Sequence, residues 1–234
     1  MLTHTTNGIT VNQFTWDVLD SNSYIIAGND SALMIDVIDD DELLFYSGRF
    51  KKVLVLLTHA HYDHICGLNR LRALNPDVVV YASETCSRNI QDPRTNLSNI
   101  ANALMAFHEH KDVTDFNILP FSCDPADITY TDKVSFEWEN HEIQMIEFHG
   151  HSKDSSCIII DKSYLFSGDT ILSIPTVTRL PGGNTKCFWE KDIPRLEEIK
   201  DHIHMVFPGH KEPGDLQSML YVNIKEHNRK GGGQ

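Results

Sequence analysis

The 234-residue sequence predicts an α/β protein built as a layered sandwich. Short apolar runs of strand length recur along both halves of the chain, and amphipathic stretches of helical spacing lie between them. The sequence contains no internal repeat, and no linker is long enough to separate two domains. A chain of this length with 41% hydrophobic residues can bury a sizeable core. We therefore expect the strands and helices to pack in layers as a single domain over residues 1–230.

The first half of the chain begins with strands. The runs SYIIAG and ALMIDVI flank the turn-forming residues NDS, which is the pattern of a β-hairpin. Val53–Thr58 (VLVLLT) is a short run of β-branched residues and leucines, typical of a strand buried on both faces. The helical spacing of GLNRLRALNPD ends where Pro76 follows Asn75, and VVVYAS predicts another strand after it.

A polar segment at about residues 84–121 interrupts this pattern, and we interpret it as a helical insertion or lid. Within it, LSNIANALMAFHEH has the spacing of an amphipathic helix. The apolar face of that helix would contain Ile100, Ala103, Leu104 and Phe107. Such a face can cover a binding cleft, form a subunit interface or belong to the core, and the sequence leaves these alternatives open.

The second half of the chain returns to strands. They are predicted for ITYT, VSFEW, EIQMIEF, SSCIIID, YLFSGD and MVFPGH. Helices are predicted for DIPRLEEIKD and for the closing DLQSMLYVNIKEHNRK. The glycine-rich residues 231–234 are expected to form a flexible tail.

Composition and charge argue against several classes of protein. The formal net charge of −13 (20 basic and 33 acidic residues) argues against nucleic acid or an anionic membrane surface as the main partner. No run approaches the ~18 apolar residues that a membrane-spanning helix needs. The N-terminus MLTHTTNGIT lacks the basic and apolar regions of a secretory signal, and the five cysteines are dispersed without a CxxC pair. We expect a cytoplasmic protein with reduced thiols.

The stretch LLTHAHYDHICGL carries three histidines and an aspartate directly after the predicted strand Val53–Thr58. His59 and His61 are two positions apart, so both rings can face one cation, while Asp63 and His64 can face a second. Imidazole and carboxylate groups together suit divalent metals such as zinc. Taken alone, the stretch can also be a solvated histidine-rich loop.

Three further predicted strands lead to a side chain that can bind a metal. EIQMIEF is followed by His151, YLFSGD ends on Asp169, and VFPGH ends on His210. Each of these side chains lies where the chain turns into a glycine-containing loop. Ligands that project from the ends of rigid strands are what a preorganised metal site requires. The sequence therefore predicts that four strand ends contribute to one metal site.

These segments, in this order, resemble the metallo-β-lactamase-fold metallohydrolase superfamily with its glyoxalase II-like dinuclear site. THAHYDH matches the family's HxHxDH motif, GHSKDSS its second-histidine motif, SGDT its bridging-aspartate motif and FPGH its last-histidine motif. TRLPGG resembles the loop after the bridging aspartate. NSYIIAGNDSALMIDV resembles the first hairpin, with Asp36 in its usual structural place. The resemblance covers nearly the whole chain and implies a four-layer αββα sandwich.

The resemblance also implies a complete set of seven metal ligands. The first metal would be bound by His59, His61 and His151. The second would be bound by Asp63, His64 and His210, and the carboxylate that bridges the two metals would be Asp169. Two divalent cations are expected, zinc first, with iron or manganese as alternatives. Solvent bridging them would lose a proton near neutral pH and attack as hydroxide. Asp63 would also be catalytic, accepting a hydrogen bond from the nucleophile and passing a proton to the leaving group.

The expected substrate is a small molecule with a carbonyl ester-type bond, a thioester or lactone being favoured. Tyr62, between two ligands, and Leu172, three residues after Asp169, are candidate substrate-binding residues. Lactone-hydrolysing relatives have tyrosine at the position of Leu172, which argues against a signal lactonase. The sequence also shows no counterpart of the C-terminal helical domain with which glyoxalase II enzymes hold glutathione. Dimers are common among such enzymes, so the resemblance allows a homodimer.

Two other classes of function stay open at this point. The same ligand set can hold two irons in an oxidoreductase, although such relatives usually carry a glutamate ligand and a fused flavin-binding domain, and this sequence shows neither. A metal-bearing binding or regulatory protein without turnover is the second alternative. Turnover of thioesters and lactones would separate both from a hydrolase.

Overall fold

The structure is a computed structural model of the chain, and it describes residues 1–6, 8–17, 19–75 and 77–229. The chain divides into two compact units, residues 1–129 and residues 130–234. The tail predicted at 231–234 lies outside the described residues, so its flexibility stays a prediction.

The first unit is organised around a seven-stranded mixed sheet. In chain order its strands are β1 (Leu2–Thr6), β2 (Ile9–Trp16), β3 (Ser21–Ala27), β4 (Ser31–Ile35), β5 (Lys52–Leu56), β6 (Val78–Ser83) and β7 (Ile128–Tyr130). They lie side by side in the same order, antiparallel from β1 to β4 and parallel from β4 to β6. The predicted hairpin of SYIIAG and ALMIDVI is confirmed as β3 and β4.

The strand β5 carries the chain toward the histidine cluster. It pairs in parallel with β4 on one side and β6 on the other. Val53, Val55 and Leu56 are fully buried, as the apolar run predicted. A central parallel strand has no solvent-facing edge, so the segment that follows it starts from a rigid position.

The described part of the first unit contains five helices. They are α1 (Asp41–Ser47), α2 (Tyr62–Ile65), α3 (Leu68–Leu74), α4 (Glu84–Asn89) and α5 (Ala101–Glu109). The helix α3 ends at Asn75, as predicted from the following proline. The helix α1 was not predicted, although Asp40 caps it by accepting a hydrogen bond from the Leu43 N–H and two acidic residues occupy its first turn.

The segment 84–121 contains helix, as predicted, but its amphipathic stretch is broken. Leu97 has a left-handed backbone (φ 63°), and a 3₁₀ turn at Ser98–Ile100 precedes α5. The side of α5 that packs into the unit carries Ala101 and Met105, in a cluster with Leu97. Phe107, by contrast, is 83% exposed. Within the predicted apolar face, Phe107 therefore lies outside the core, whereas Leu104 packs partly buried against this cluster.

The second unit contains a five-stranded sheet. Its strands are β8 (Lys133–Trp138), β9 (His141–Glu147), β10 (Ser156–Ile160), β11 (Tyr164–Gly168) and β12 (Met205–Pro208). The order is β12-β11-β10-β9-β8, and all pairs are antiparallel except the parallel pair β11–β12. All five strands were predicted from their apolar runs.

Helices of the second unit pack on its sheet. They are α6 (Thr185–Cys187), α7 (Ile193–Ile199) and α8 (Leu216–Arg229), with a π-helical turn at Phe188–Asp192 between the first two. Leu196 of α7 and Leu220 of α8 are buried in one cluster with Leu165 of β11. The sequence predicted α7 and α8 but missed α6 and the π-helical turn.

Two expectations from composition can be compared with this structure. None of the five cysteines, all of which lie within the described residues, is joined in a disulfide. Within the described ranges, no helix combines the length and the apolar character needed to cross a membrane.

Candidate metal centre

The first unit gathers four of the predicted ligands where β5 ends. The chain leaves the sheet after Leu56 and enters α2 at Tyr62, with His61 extended at the start of the helix. His59 and His64 are fully buried, and His61 and Asp63 are 5% and 6% exposed. The ring of His59 lies 4.6 Å from that of His61 and 4.3 Å from that of His64, centroid to centroid. A solvated histidine-rich loop is thereby excluded.

Asp36 anchors this cluster from the end of β4. One carboxylate oxygen accepts the Thr58 N–H at 2.7 Å, and the other accepts the Thr58 hydroxyl at 2.6 Å and His64 Nδ1 at 3.0 Å. The backbone of Asp36 is left-handed (φ 53°), a conformation that aspartate tolerates better than most residues. One atom that could bind a metal from each of Asp36, His59 and His64 lies within 4.8 Å of the other two. Because both Asp36 oxygens accept hydrogen bonds, we assign this carboxylate to orientation.

The hydrogen bonds of Thr58 determine the tautomer of His59. The Thr58 hydroxyl gives its proton to Asp36, so it can only accept from His59 Nδ1, which lies 3.0 Å away. His64 Nδ1 likewise donates to the Asp36 carboxylate. When either ring is neutral, its proton is therefore on Nδ1 and its lone pair is on Nε2.

Asp63 has a second polar partner besides the histidines. Its Oδ2 accepts the Ser21 hydroxyl at 2.8 Å and lies 3.5 Å from His64 Nε2. Ser21 is fully buried at the start of β3, on the neighbouring hairpin. This contact orients the carboxylate for which the sequence predicted both a ligand and a catalytic role.

The second unit gathers the other three predicted ligands. Asp169 follows β11 and His210 follows β12, and the Gly209 N–H donates to the Gly168 carbonyl at 2.8 Å to tie these strand ends together. One oxygen of Asp169, Oδ2, lies 3.5 Å from His151 Nε2 and 3.3 Å from His210 Nε2. A single carboxylate thus faces ring nitrogens of both histidines.

His151 is oriented in the same way as His59 and His64. It is 2% exposed, and its Nδ1 donates to the Val177 carbonyl at 2.7 Å, which leaves the lone pair on Nε2. His149, two residues earlier, is different: its side chain is 45% exposed and its Nδ1 bonds the Lys153 carbonyl. The buried histidine of the GHS segment is therefore His151.

These donors fit a divalent metal. Three buried imidazoles are held through Nδ1 and present Nε2, which is the arrangement typical of metal-binding histidines. Buried carboxylates, Asp63 and Asp169, supply hard anionic ligands beside them. The seven predicted ligands thus follow four strand ends, four residues in the first unit and three in the second. Six of them are buried, and His210 is partly buried.

The two predicted substrate-binding residues are both buried. Tyr62 is 3% exposed and packs with Leu97 and Met105 of the 84–121 segment, and burial raises the pKa of its phenol far above the ordinary value. Leu172 is 4% exposed, and its carbonyl accepts a hydrogen bond from Asn223. Their contact with substrate stays a prediction.

Sequence reasoning missed the residues that orient the ligands. Ser21, Thr58 and Val177 each bond a predicted ligand, yet none belongs to a spacing that signals metal chemistry. Val177 acts through its carbonyl, so its side chain carries no information about this role. Thr58 could have been noticed as the polar end of an otherwise apolar strand.

Comparison with known proteins identifies the family. The model of the metallo-beta-lactamase superfamily matches residues 16–210. The chain therefore belongs to the metallo-beta-lactamase superfamily. It is 26% identical over 194 residues to a probable metallo-hydrolase of Streptococcus pyogenes serotype M6, a match covering 81% of this chain and 78% of that protein.

A second relative is longer than the matched region. A hydroxyacylglutathione hydrolase of Glaesserella parasuis is 24% identical over 156 residues, which are 66% of this chain and 51% of that protein. The chain thus matches about half of that relative's length.

Solved structures confirm the fold. The B3 metallo-beta-lactamase BLEG-1 is similar in structure, with a TM-score of 0.73 and 22% sequence identity. The match covers 91% of this chain and 97% of that one. The protein TTHA1623 in a di-iron-bound form has a TM-score of 0.67 at 22% identity, covering 91% of this chain and 98% of that one. The predicted αββα fold class is thereby confirmed.

Proposed function

We propose that this chain is a metal-dependent hydrolase with a dinuclear site. The proposed ligands are His59, His61, Asp63, His64, His151, Asp169 and His210. The observation that carries the proposal is the set of buried imidazoles held through Nδ1, since a proton on Nδ1 places the lone pair that can bind a metal on Nε2. The order and spacing of the superfamily motifs support grouping the seven residues into one site.

Two divalent cations, zinc first with iron or manganese as alternatives, would acidify solvent and polarise the scissile carbonyl when bound. His59, His61 and His151 would hold one cation. Asp63, His64 and His210 would hold the other, and Asp169 would be the carboxylate that both cations share.

The remaining steps fall to residues of the chain. Asp63 is proposed to accept a hydrogen bond from the attacking nucleophile and to pass a proton to the leaving group, while Ser21 holds its Oδ2 in place. Asp36 and Thr58 keep the rings of His64 and His59 in one orientation throughout. Burial of these groups excludes bulk water from the ligands.

The proposed substrate is a small molecule with a carbonyl ester-type bond, and a thioester is favoured over a lactone. The similarity to a protein named hydroxyacylglutathione hydrolase supports a thioester, because an acylglutathione is one. The exposed Phe107 on α5 supports a lid role for the 84–121 segment, which Tyr62 connects to the ligand-bearing turn. We propose a cytoplasmic location, a homodimer, and neither nucleic acid nor membrane as partner.

Metal content and turnover test the proposal. After purification without chelator, elemental analysis should find about two metals per chain, and the metallated protein should hydrolyse members of a thioester and lactone panel. His151→Ala should lose metal and reduce turnover at least about 100-fold, whereas the matched control His149→Ala should keep both. Fewer than one metal per chain, or full metal without any turnover of the panel, contradicts a hydrolase.

A further inference from the structure

A buried carboxylate that the proposed mechanism does not use holds the loop of His151. Asp192 ends the π-helical turn Phe188–Asp192 and is 1% exposed. Its Oδ2 accepts the Gly150 N–H at 2.7 Å, one residue before the ligand. An unpaired carboxylate at this depth would be costly, so the contact is a specific feature. π-Helical turns inside helices are often found at functional sites.

Gly150 packs directly against this turn. A Cβ atom at Gly150 would lie 2.4 Å from Asp192 Oδ2 and 2.8 Å from Phe188 Cα, which is closer than real Cβ contacts. The Gly150 carbonyl in turn accepts the Asn184 N–H at 2.8 Å. Both backbone polar groups of Gly150 are therefore held by the segment that runs from Asn184 into the π-helical turn.

The strand end before the loop is held by the same helical segment. Arg195 of α7 donates to the Glu147 carbonyl at 2.9 Å and stacks over the Phe148 ring at 4.4 Å. Together with Asp192, this residue attaches 147–150 to the helix at two points. The backbone that carries His151 cannot shift without breaking them.

An ionised carboxylate is unfavourable at the position of Asp192. Burial raises the pKa of its carboxyl to about 6, although the backbone N–H of Gly150, the charge of His149 and the charge of Arg195 act in the opposite direction. Burial raises the pKa of the Cys157 and Cys187 thiols, and the charge of Asp192 raises it further. A neutral side chain would be easier to bury, so stability alone does not explain an acid here.

We propose that Asp192 is a positioning residue for His151, acting through the Gly150 N–H to aim His151 Nε2 at the side where Asp169 Oδ2 lies. This inference rests on the proposed function, since it takes His151 as a metal ligand. Asp192 itself touches neither the ligand nor the substrate.

Metal affinity measured by chelator competition tests the inference with zinc as the probe. In the full chain at pH 7.5, Asp192→Ala should weaken zinc binding by about 10–100-fold. Asp192→Asn should restore the affinity to within about 3-fold, because an amide oxygen still accepts the Gly150 N–H. Asp161→Asn is the matched control, since Asp161 also accepts a backbone N–H, from Glu142, but lies on the β10–β11 turn. It should bind zinc like the wild type.

Nuclear magnetic resonance of the metal-free chain supplies a readout independent of activity. The His151 ring should show the Nδ1–H tautomer in the wild type and in Asp192→Asn, and a mixture of tautomers in Asp192→Ala. The Gly150 amide proton should move upfield in Asp192→Ala only. If Asp192→Ala fails to fold, the folded Asp192→Asn variant still tests the proposal. If Asp192→Asn loses either zinc binding or the Nδ1–H tautomer of His151, positioning through an accepted hydrogen bond is overturned.

The outcomes separate the two proposals. A wild-type chain that binds no zinc overturns the proposed function. A wild-type chain that binds zinc, together with an Asp192→Ala chain that binds it equally tightly and keeps the Nδ1–H tautomer, overturns the role of Asp192 alone.

Discussion

Thr58→Val isolates the hydrogen bonds that orient His59. Valine has nearly the shape of threonine, so the change removes the hydroxyl and leaves the packing. Two bonds disappear: the one to the Asp36 carboxylate at 2.6 Å and the one from His59 Nδ1 at 3.0 Å. Thr58 is 1% exposed, and His59 is fully buried, so water cannot replace the hydroxyl.

The expected cost follows from those two bonds. A hydrogen bond to a charged group contributes about 1.5–3 kcal/mol and a neutral one about 0.5–1.5 kcal/mol. We therefore expect the free energy of unfolding of the metal-free chain to fall by about 2–4 kcal/mol. The His59 ring also loses its tautomer preference, so zinc affinity should fall by about 10–100-fold.

Urea unfolding and chelator competition measure these two effects. Thr58→Ser is the control, because serine keeps the hydroxyl and loses only a methyl group. The serine variant should bind zinc nearly as tightly as the wild type. Equal zinc affinity in the valine and serine variants would refute the assignment of Thr58 as the partner that orients His59.

Three further predictions follow from single contacts. Gly150→Ala should lower the free energy of unfolding by about 1–3 kcal/mol, because the new Cβ would overlap Asp192 and Phe188, whereas Gly214→Ala should cost little; urea unfolding compares them. Burial raises the pKa of Asp192 from 3.8 to about 6. Its contribution to stability is therefore complete below pH 3.8 and lost as the pH rises through 6, so the unfolding free energy of the wild type relative to Asp192→Asn should fall by about 2 kcal/mol between pH 4 and pH 7; no change would contradict the burial of this carboxyl. Phe107→Ser should leave the unfolding free energy within about 0.5 kcal/mol, since Phe107 is exposed, but raise KM for thioesters with longer acyl chains if α5 is a lid; an unchanged KM across chain lengths argues for an interface instead.

Local patterns were sufficient for most of the regular elements. The buried strand β5 and the end of α3 at Asn75 are as the apolar run and the following proline predicted. In the 84–121 segment, a single backbone conformation made the prediction wrong. Leu97 adopts a left-handed backbone, which separates a 3₁₀ turn from α5, and nothing in the side chain of leucine signals that. The π-helical turn at Phe188–Asp192 was also missed, and it packs against Gly150, which is distant from it in the sequence.

The sequence by itself predicted metal chemistry for the candidate site, because imidazole and carboxylate side chains at strand ends in this order have few other uses. It also determined the fold class, since the periodicity of its apolar residues dictates which elements form. Only the tertiary structure decided how the ligands are oriented. Ser21, Val177 and Asp192 are distant in sequence from the residues they orient, whereas Thr58 adjoins His59. These partners act through hydroxyls, a carbonyl and a carboxylate that accepts a backbone N–H, and such contacts have no spacing that a linear pattern can reveal.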